Sequence, residues 1–190
     1  MIRELRIATI LFLLLTVVTG VVYPGLVTIV AALAVPDQAG GSLLRVDGRI
    51  VGSRLIGQAF RSPRYFWGRP SATGPMPNNG GVSSGSNQGP LNPALLEAVQ
   101  GRVAALRAAD PGNTNPIPVD LVTASGSGLD PEISIAAAEF QVPRVARERG
   151  LSQEFVRQRV QGATRGRTFG ILGEPRVNVL ELNLALDAAR

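Results

Sequence analysis

This sequence contains no histidine, no cysteine and no lysine, and these three absences exclude many kinds of catalytic site. Without them the chain cannot form a Ser–His–Asp or Cys–His nucleophile, a Schiff-base lysine, a Walker-type phosphate loop, or a zinc site with His or Cys ligands. Only a carboxylate pair or a metal site with oxygen ligands remains open. No spacing of the acidic residues argues for either, so we expect no catalytic residue and no metal site.

The positive charge is carried by arginine alone and is spread along the chain. From Pro36 onward there are 17 arginines and 13 acidic residues, and no run of five or more arginines occurs. Aromatic residues do not interleave with the arginines as they do in nucleic-acid-binding surfaces, so we expect no nucleic-acid partner. The lack of cysteine fits a reducing and an oxidising compartment equally well and does not locate the protein.

An uncharged run of 29 residues, Ile7–Val35, is the most informative stretch of the sequence. As a helix it would be roughly 43 Å long, and about 20 apolar residues are enough to cross the hydrocarbon core of a bilayer. A segment in lipid must satisfy its own backbone hydrogen bonds, so it should be helical. Pro24 has no N–H to donate and should kink it. Tyr23 could hydrogen-bond to a partner or lie near headgroups, and we count Tyr23 and Pro24 as partner-facing candidates.

Two other structures could account for this run. A cleaved signal peptide fits the basic start and the triplet Ala32-Leu33-Ala34, but the apolar cores of signal peptides are only about 7–15 residues long. The buried core helix of a soluble protein would show a polar face, which this run lacks. We therefore favour a retained transmembrane helix.

The topology follows from the short N-terminal tail, residues 1–6. Arg3 and Arg6 outnumber Glu4 there, and this bias favours a cytoplasmic N-terminus. With a single span at 7–35, residues 36–190 then lie on the outer face of the membrane, and their length suits one soluble domain. The predicted fold class is a single N-terminal transmembrane helix followed by one extracytoplasmic α/β (α+β) soluble domain.

Local patterns place the main elements of this domain. The predicted elements are a β-hairpin at 42–53 turning at Asp47-Gly48, a proline-rich long loop at 61–91, a strand at 118–123, and helices beginning at Asn92-Pro93, at Ser134 or Asp130, at Ser152, and at the capping box Asn178–Glu181. Pro143 should bend the second of these helices.

Two segments are candidates for function. Tyr65, Phe66, Trp67 and nearby Arg69 either pin the loop to the domain or form a partner-facing patch, because Tyr, Trp and Arg are typical interface anchors. Ser125, Gly126, Ser127 and Gly128 form a turn that could hold a phosphate on backbone N–H groups. The turn lacks the lysine of a P-loop and the glycine spacing of a dinucleotide loop, so a tight structural turn is the alternative.

Ten segments, in order along nearly the whole chain, carry a family resemblance. They are Tyr23-Pro24, Gly41-Ser42-Leu43, Val51-Gly52-Ser53, 55–60 (LIGQAF), Tyr65-Phe66, 68–72 (GRPSA), Gly85-Ser86-Asn87, 121–130 (LVTASGSGLD), 141–146 (QVPRVA) and 173–187 (GEPRVNVLELNLALD). Together they closely resemble KdpC, the C-subunit family of Kdp-type potassium-transporting P-type ATPases. Pro131-Glu132 and Ile135 depart from the residues common in that family.

The resemblance implies an accessory role in an ATP-driven, high-affinity potassium import complex of the bacterial inner membrane. Such a complex contains a potassium-channel-like subunit that selects the ion, a P-type ATPase subunit and a small stabilising subunit. The C subunit is not an enzyme by itself and is needed for assembly and stability. The family is also described as a catalytic chaperone that raises the affinity of the ATPase subunit for ATP through a glutamine. Gln141 best matches that glutamine, and ATP would then be reached through the complex.

Two competing functions remain open at this stage. A membrane-anchored extracytoplasmic binding module would share the same architecture, as would a hydrolase that uses two carboxylates in one cleft. The acidic residues Glu97, Asp120, Asp130 and Glu132 show no spacing that favours the hydrolase.

Overall fold

The structure, a computed structural model, describes residues 1–189. The chain divides into two compact units, Met1–Leu44 and a second unit from Arg45 onward. Each is described by itself.

The first unit is dominated by one apolar helical stretch, Ile2–Ala34, the only helix among residues 1–189 that is long and apolar enough to cross a membrane. It consists of α1 (Ile2–Val17), a π-helical turn (Val18–Val22) and α2 (Tyr23–Ala34), and the short helix α3 (Pro36–Ala39) follows. None of the residues of α1 or α2 is buried.

The π-helical turn lies directly before Pro24. The Tyr23 N–H donates to the Val18 carbonyl, five residues back, and the regular four-residue pattern resumes in α2. Because a proline cannot donate and its ring crowds the preceding turn, insertion of one residue is a common way to accommodate it. The hydrogen-bond register thus changes just before Pro24, and a kink of the helix axis there stays a prediction.

The predicted hairpin follows α3 and consists of β1 (Leu43–Val46) and β2 (Arg49–Ser53). Residues 54–92 then contain no helix or strand. Helix α4 (Pro93–Ala109) begins as predicted, with the Asn92 side chain accepting the Ala94 N–H.

The strand predicted at 118–123 is wrong, because this segment forms a 3₁₀ turn at Val119–Leu121. The Val119 carbonyl accepts the N–H groups of Val122 and Thr123, so the backbone bonds are local. In addition, the Asp120 carboxylate accepts the Ser134 N–H at 2.8 Å, which ties the turn to the start of the next helix.

Three short antiparallel strands form the central sheet in the order β3-β5-β4. They are β3 (Glu132–Ser134), β4 (Thr164–Arg165) and β5 (Arg176–Asn178). Ile133 lies opposite Val177, and both are buried. Strands of two or three residues are too short for an alternating pattern to reveal them, and the sequence did not predict them.

Three helices pack around this sheet: α5 (Ile135–Arg149), α6 (Gln153–Ala163) and α7 (Val179–Asp187). Their starts were predicted at Ser134 or Asp130, at Ser152 and at the capping box Asn178–Glu181. In the structure the side chains of Ser134, Ser152 and Asn178 each accept a backbone N–H of the helix that follows. Helix α5 continues through Pro143 to Gly150, which ends it with a φ of 66°. The core lies between α5, α6, α7 and the sheet, and includes Phe66 from the long loop.

Candidate functional site

Two buried carboxamides hold the backbone of the aromatic segment, Tyr65–Trp67. Asn183 accepts the Phe66 N–H at 2.9 Å and donates to the Phe66 carbonyl at 3.0 Å. Gln141 repeats the arrangement one residue later, accepting the Trp67 N–H at 2.8 Å and donating to the Trp67 carbonyl at 3.1 Å. Each carboxamide side chain therefore satisfies two backbone groups that the core hides from water.

The two carboxamides, Gln141 and Asn183, are called the clamps below, and both lie on helices that follow strands of the central sheet. β3 leads directly into α5, which carries Gln141, and β5 leads directly into α7, which carries Asn183. Because β3 pairs antiparallel with β5, the two helices leave opposite ends of the strand pair, and each contributes one carboxamide to the aromatic segment. The aromatic segment thus lies in a place that the sheet register defines.

Arg144, on α5, is a buried cation next to the aromatic segment and is 2% exposed. Its guanidinium donates to Oε1 of Gln141 at 2.6 Å, to the Tyr65 carbonyl at 3.0 Å, and to the Pro63 carbonyl. It also lies over the Trp67 ring, 4.2 Å from the ring centre. All these partners are uncharged, and burial lowers the pKa of Arg144 to about 10 because it disfavours the charged form.

A second arginine fixes the start of the segment. Arg149 donates to Oδ1 of Asp187 at 2.9 Å and to the Arg64 carbonyl at 2.7 Å. The Tyr65 hydroxyl donates to the other oxygen of Asp187 at 3.2 Å. These contacts join the end of α5 and the end of α7 to the aromatic segment.

The turn Ser125–Gly128 packs against the long loop. Ser125 is 3% exposed, and its N–H donates to the Pro70 carbonyl at 3.0 Å. The carbonyl of Ser127 accepts the Ser84 N–H at 3.0 Å, and the carbonyl of Gly128 accepts the Ser71 hydroxyl at 2.7 Å.

The close packing explains why glycine is needed at 128. Gly128 has a φ of +68°, and a Cβ there would lie 2.5 Å from Cγ2 of Thr73. The turn therefore has a structural role that accounts for its glycine without a bound phosphate. A nucleotide role for Ser125, Gly126, Ser127 and Gly128 stays a prediction.

The residues predicted to face a partner lie in different surroundings. Phe66 is wholly buried, so its side chain belongs to the core and offers no surface to a partner. Tyr65, Trp67 and Arg69 are half-buried, and Arg69 donates to Oδ2 of Asp130 at 3.1 Å. In the first unit Tyr23 is 65% exposed, and Pro24 is exposed as well.

The structure brings Gln141 together with Trp67 and Arg144. It is 1% exposed, and Nε2 also donates to the Ala137 carbonyl at 3.2 Å. Both polar atoms of the carboxamide are thus engaged within the chain. A nucleotide contact through Gln141 stays a prediction, and it would require the aromatic segment to move.

Three of the four carboxylates considered for a hydrolase are engaged in structural contacts, and the fourth, Glu97, is exposed on α4. Asp130 pairs with Arg69, and Glu132 pairs with Arg176 at 2.8 Å. Asp120 accepts the Ser134 N–H. Among residues 1–189, no three His, Cys, Asp or Glu side chains are placed to hold a metal ion together.

An exposed apolar tip, Phe169–Leu172, was not anticipated from the sequence. Phe169, Ile171 and Leu172 are 89%, 74% and 57% exposed, and a β-bridge between Thr168 and Leu172 closes the turn. Phe169 has a φ of 55°, a conformation that is rare for a bulky residue. The available signal was three apolar side chains in a glycine-flanked turn, where polar residues are usual.

The chain is similar to known proteins along nearly its whole length. A family model described as "KdpC: K+-transporting ATPase, c chain" matches residues 5–188. A "Potassium-transporting ATPase KdpC subunit" of Methylococcus capsulatus is 63% identical over 190 residues, which cover 100% of both chains. The subunit of the same name from Sorangium cellulosum is 64% identical over 190 residues, again 100% of both chains. That of Herpetosiphon aurantiacus is 64% identical over 175 residues, 92% of this chain and 91% of the relative.

Removal of one clamp should destabilise the domain strongly. Asn183→Leu keeps the branched shape and the number of side-chain heavy atoms but leaves the Phe66 N–H and carbonyl unpaired, and each buried unpaired group costs about 1–3 kcal/mol. We expect the free energy of unfolding to fall by about 2–5 kcal/mol. Denaturation of the full chain in detergent, followed by the fluorescence of Trp67, the only tryptophan, measures this change.

Gln158→Leu is the matched control, because Gln158 is exposed on α6. It should change the free energy of unfolding by less than about 0.5 kcal/mol. Equal effects of the two substitutions would show that the clamp contributes nothing specific.

Proposed function

The chain belongs to the KdpC family of K⁺-transporting ATPase C chains, and from this premise we propose that it is a non-catalytic subunit that helps a potassium import complex to assemble. Its proposed partners are a potassium-channel-like ion-selecting subunit, a P-type ATPase subunit and a small stabilising subunit. The complex would lie in the bacterial inner membrane. The observation that carries the proposal is the exposed apolar tip, a surface suited to burial against another protein.

The apolar helical stretch supports the membrane part of the proposal. Its 33 residues exceed the length that a bilayer requires, and its most apolar window is 0% buried within the chain. A side chain such as Leu13, 56% exposed, gains burial only from lipid or from another helix. We infer that Ile2–Ala34 is a retained single span and that Tyr23 and Pro24, beside the π-helical turn, contact a neighbouring subunit.

The exposed tip supports a protein contact outside the span. Burial of a Phe or Ile side chain contributes about 1.5–3 kcal/mol, so two such residues can anchor a docked domain. The charges nearest in sequence are already neutralised, since Arg167 pairs with both oxygens of Glu174 at 2.8–2.9 Å.

The role of Gln141 distinguishes assembly from a catalytic-chaperone function. We propose that Gln141 acts as a clamp on Trp67 and that ATP is handled by the ATPase subunit alone. Support comes from the engagement of both ends of its carboxamide. Support also comes from the inferred topology, because a domain on the outer face is separated from cytoplasmic ATP by about 30 Å of hydrocarbon.

The topology can be tested with single cysteines, since the chain has none of its own. Gly89→Cys places the thiol where a Cβ meets no atom within 4 Å. We expect an impermeant thiol reagent to label it from outside cells whose outer layers are permeabilised and whose inner membrane is intact. Ile2→Cys, the control, should be labelled only after the inner membrane is broken. The reverse pattern would place the domain in the cytoplasm.

The tip should be required for tight assembly. The double variant Phe169→Ser/Ile171→Ser removes the apolar side chains, and we expect co-purification of the larger subunits to fall at least tenfold, a loss of about 1.4 kcal/mol or more. Leu91→Ser is the control, because Leu91 is 95% exposed and lies outside the tip. If the double variant retains its partners as well as the control does, the tip is not the docking surface.

Gln141→Ala should leave the affinity of the assembled pump for ATP nearly unchanged. We expect the apparent Km for ATP to stay within about twofold, a change under about 0.5 kcal/mol. Gln141→Ala also removes both hydrogen bonds to the Trp67 backbone. Gln141→Glu therefore serves as a second variant, because it keeps an acceptor for the Trp67 N–H. A tenfold loss of ATP affinity in both variants, with assembly and Trp67 fluorescence intact, would favour the chaperone function.

A further inference from the structure

A cavity of about 530 Å³ lies beside Trp67 and is lined by three arginines, Arg61, Arg69 and Arg102. None of the residues that line it is acidic. Phe60, Pro70 and Pro77 are further lining residues and give it apolar walls. A cavity with cations at its lining and apolar walls suits a ligand that has an anionic group attached to an apolar body.

The positive charge of this cavity is only partly neutralised. Arg69 is paired with Asp130, which lies outside the cavity lining. Arg102 donates to an uncharged acceptor, the Val122 carbonyl, at 2.7 Å. Burial lowers the pKa of Arg102, because partial desolvation disfavours its charged form. Arg61 is exposed at the rim. Two of the three cations are thus available to an anion.

We propose that this cavity binds a phosphate ester, and that its source is the headgroup of an anionic phospholipid. Arginine forks match phosphate oxygens and form strong charge-assisted hydrogen bonds with them. Anionic lipid is at hand, because only residues 35–42 separate the apolar helical stretch from the hairpin. The apolar walls suit the glycerol and the first part of an acyl chain. The choice of lipid as the source rests on the membrane span inferred above, whereas the phosphate site itself does not depend on the proposed assembly role.

Trp67 is a built-in reporter for the site, since it lines the cavity and is the only tryptophan. The full chain in neutral detergent micelles is titrated with phosphatidylglycerol, and separately with phosphatidylcholine, while Trp67 fluorescence is recorded. We expect a saturable change with phosphatidylglycerol and at least tenfold weaker binding of phosphatidylcholine. Binding should weaken as salt is added, because added ions screen the contact.

Two double variants of equal net charge distinguish binding in the cavity from a general attraction of anionic lipid to a positively charged chain. Arg61→Gln/Arg102→Gln should weaken phosphatidylglycerol binding at least tenfold, whereas Arg49→Gln/Arg159→Gln, at two other exposed arginines, should weaken it less than threefold. Arg61→Gln alone should also weaken binding and guards against a folding defect, because Arg61 is exposed. Equal effects of the two double variants would overturn the proposal.

Soluble probes identify the source of the phosphate. Competition by sn-glycerol 3-phosphate, lost in Arg61→Gln/Arg102→Gln, would support a phosphate-ester site and show that a free ester can fill it. Binding of the lipid without such competition would support the lipid headgroup as the source. Equal binding of phosphatidylglycerol and phosphatidylcholine would overturn the proposal. A fluorescence response to ATP, with none to phosphatidylglycerol or sn-glycerol 3-phosphate, would overturn it as well.

Discussion

The arrangement of the second unit depends on a charged guanidinium held inside it without a directly bonded carboxylate. Arg144 donates to Oε1 of Gln141, and this contact leaves Nε2 as the end that faces the Trp67 carbonyl. The arginine therefore sets the orientation of the carboxamide, which in turn sets the position of Trp67. Desolvation of a cation is expensive unless its donors are satisfied. The backbone carbonyls of Pro63 and Tyr65 meet this requirement only while the aromatic segment keeps its path.

The long segment 54–92 consequently owes its shape to side chains of distant helices. It has no helix or strand, and its contacts run to α5, α7 and the turn at Ser125–Gly128. Buried backbone N–H and C=O groups are most often paired within helices and sheets. Here the carboxamides of Gln141 and Asn183 take the place of a neighbouring strand at Phe66 and Trp67, where the long segment is most buried. The position of the segment therefore depends on the packing of the helices that carry these two side chains.

Local sequence signals identified the features that are determined locally, and they failed where contacts are distant. The helix starts at Asn92, at Ser134 or Asp130, at Ser152 and at Asn178 could be predicted because a helix cap involves residues two or three apart. The clamps join residues 74 and 117 positions apart, which no periodicity encodes. For Gln141, resemblance to a family drew attention to the residue but not to its contact with Trp67. The segment Val119–Leu121 was predicted as a strand because it is rich in apolar residues, but it forms a 3₁₀ turn. Its contact with the start of α5 is made by the polar residue Asp120, whose carboxylate accepts the Ser134 N–H.

The π-helical turn at Val18–Val22 divides the apolar helix into two halves with different angular phase. One extra residue in a turn rotates every later side chain by about 100° around the axis relative to an uninterrupted α-helix. A neighbouring helix that followed one stripe of α1 would therefore meet a different stripe of α2. The two halves can present separate faces to two neighbours, although they belong to one continuous helix. Deletion of a single residue between Val18 and Val22 would realign the stripes and exchange the faces that α2 presents.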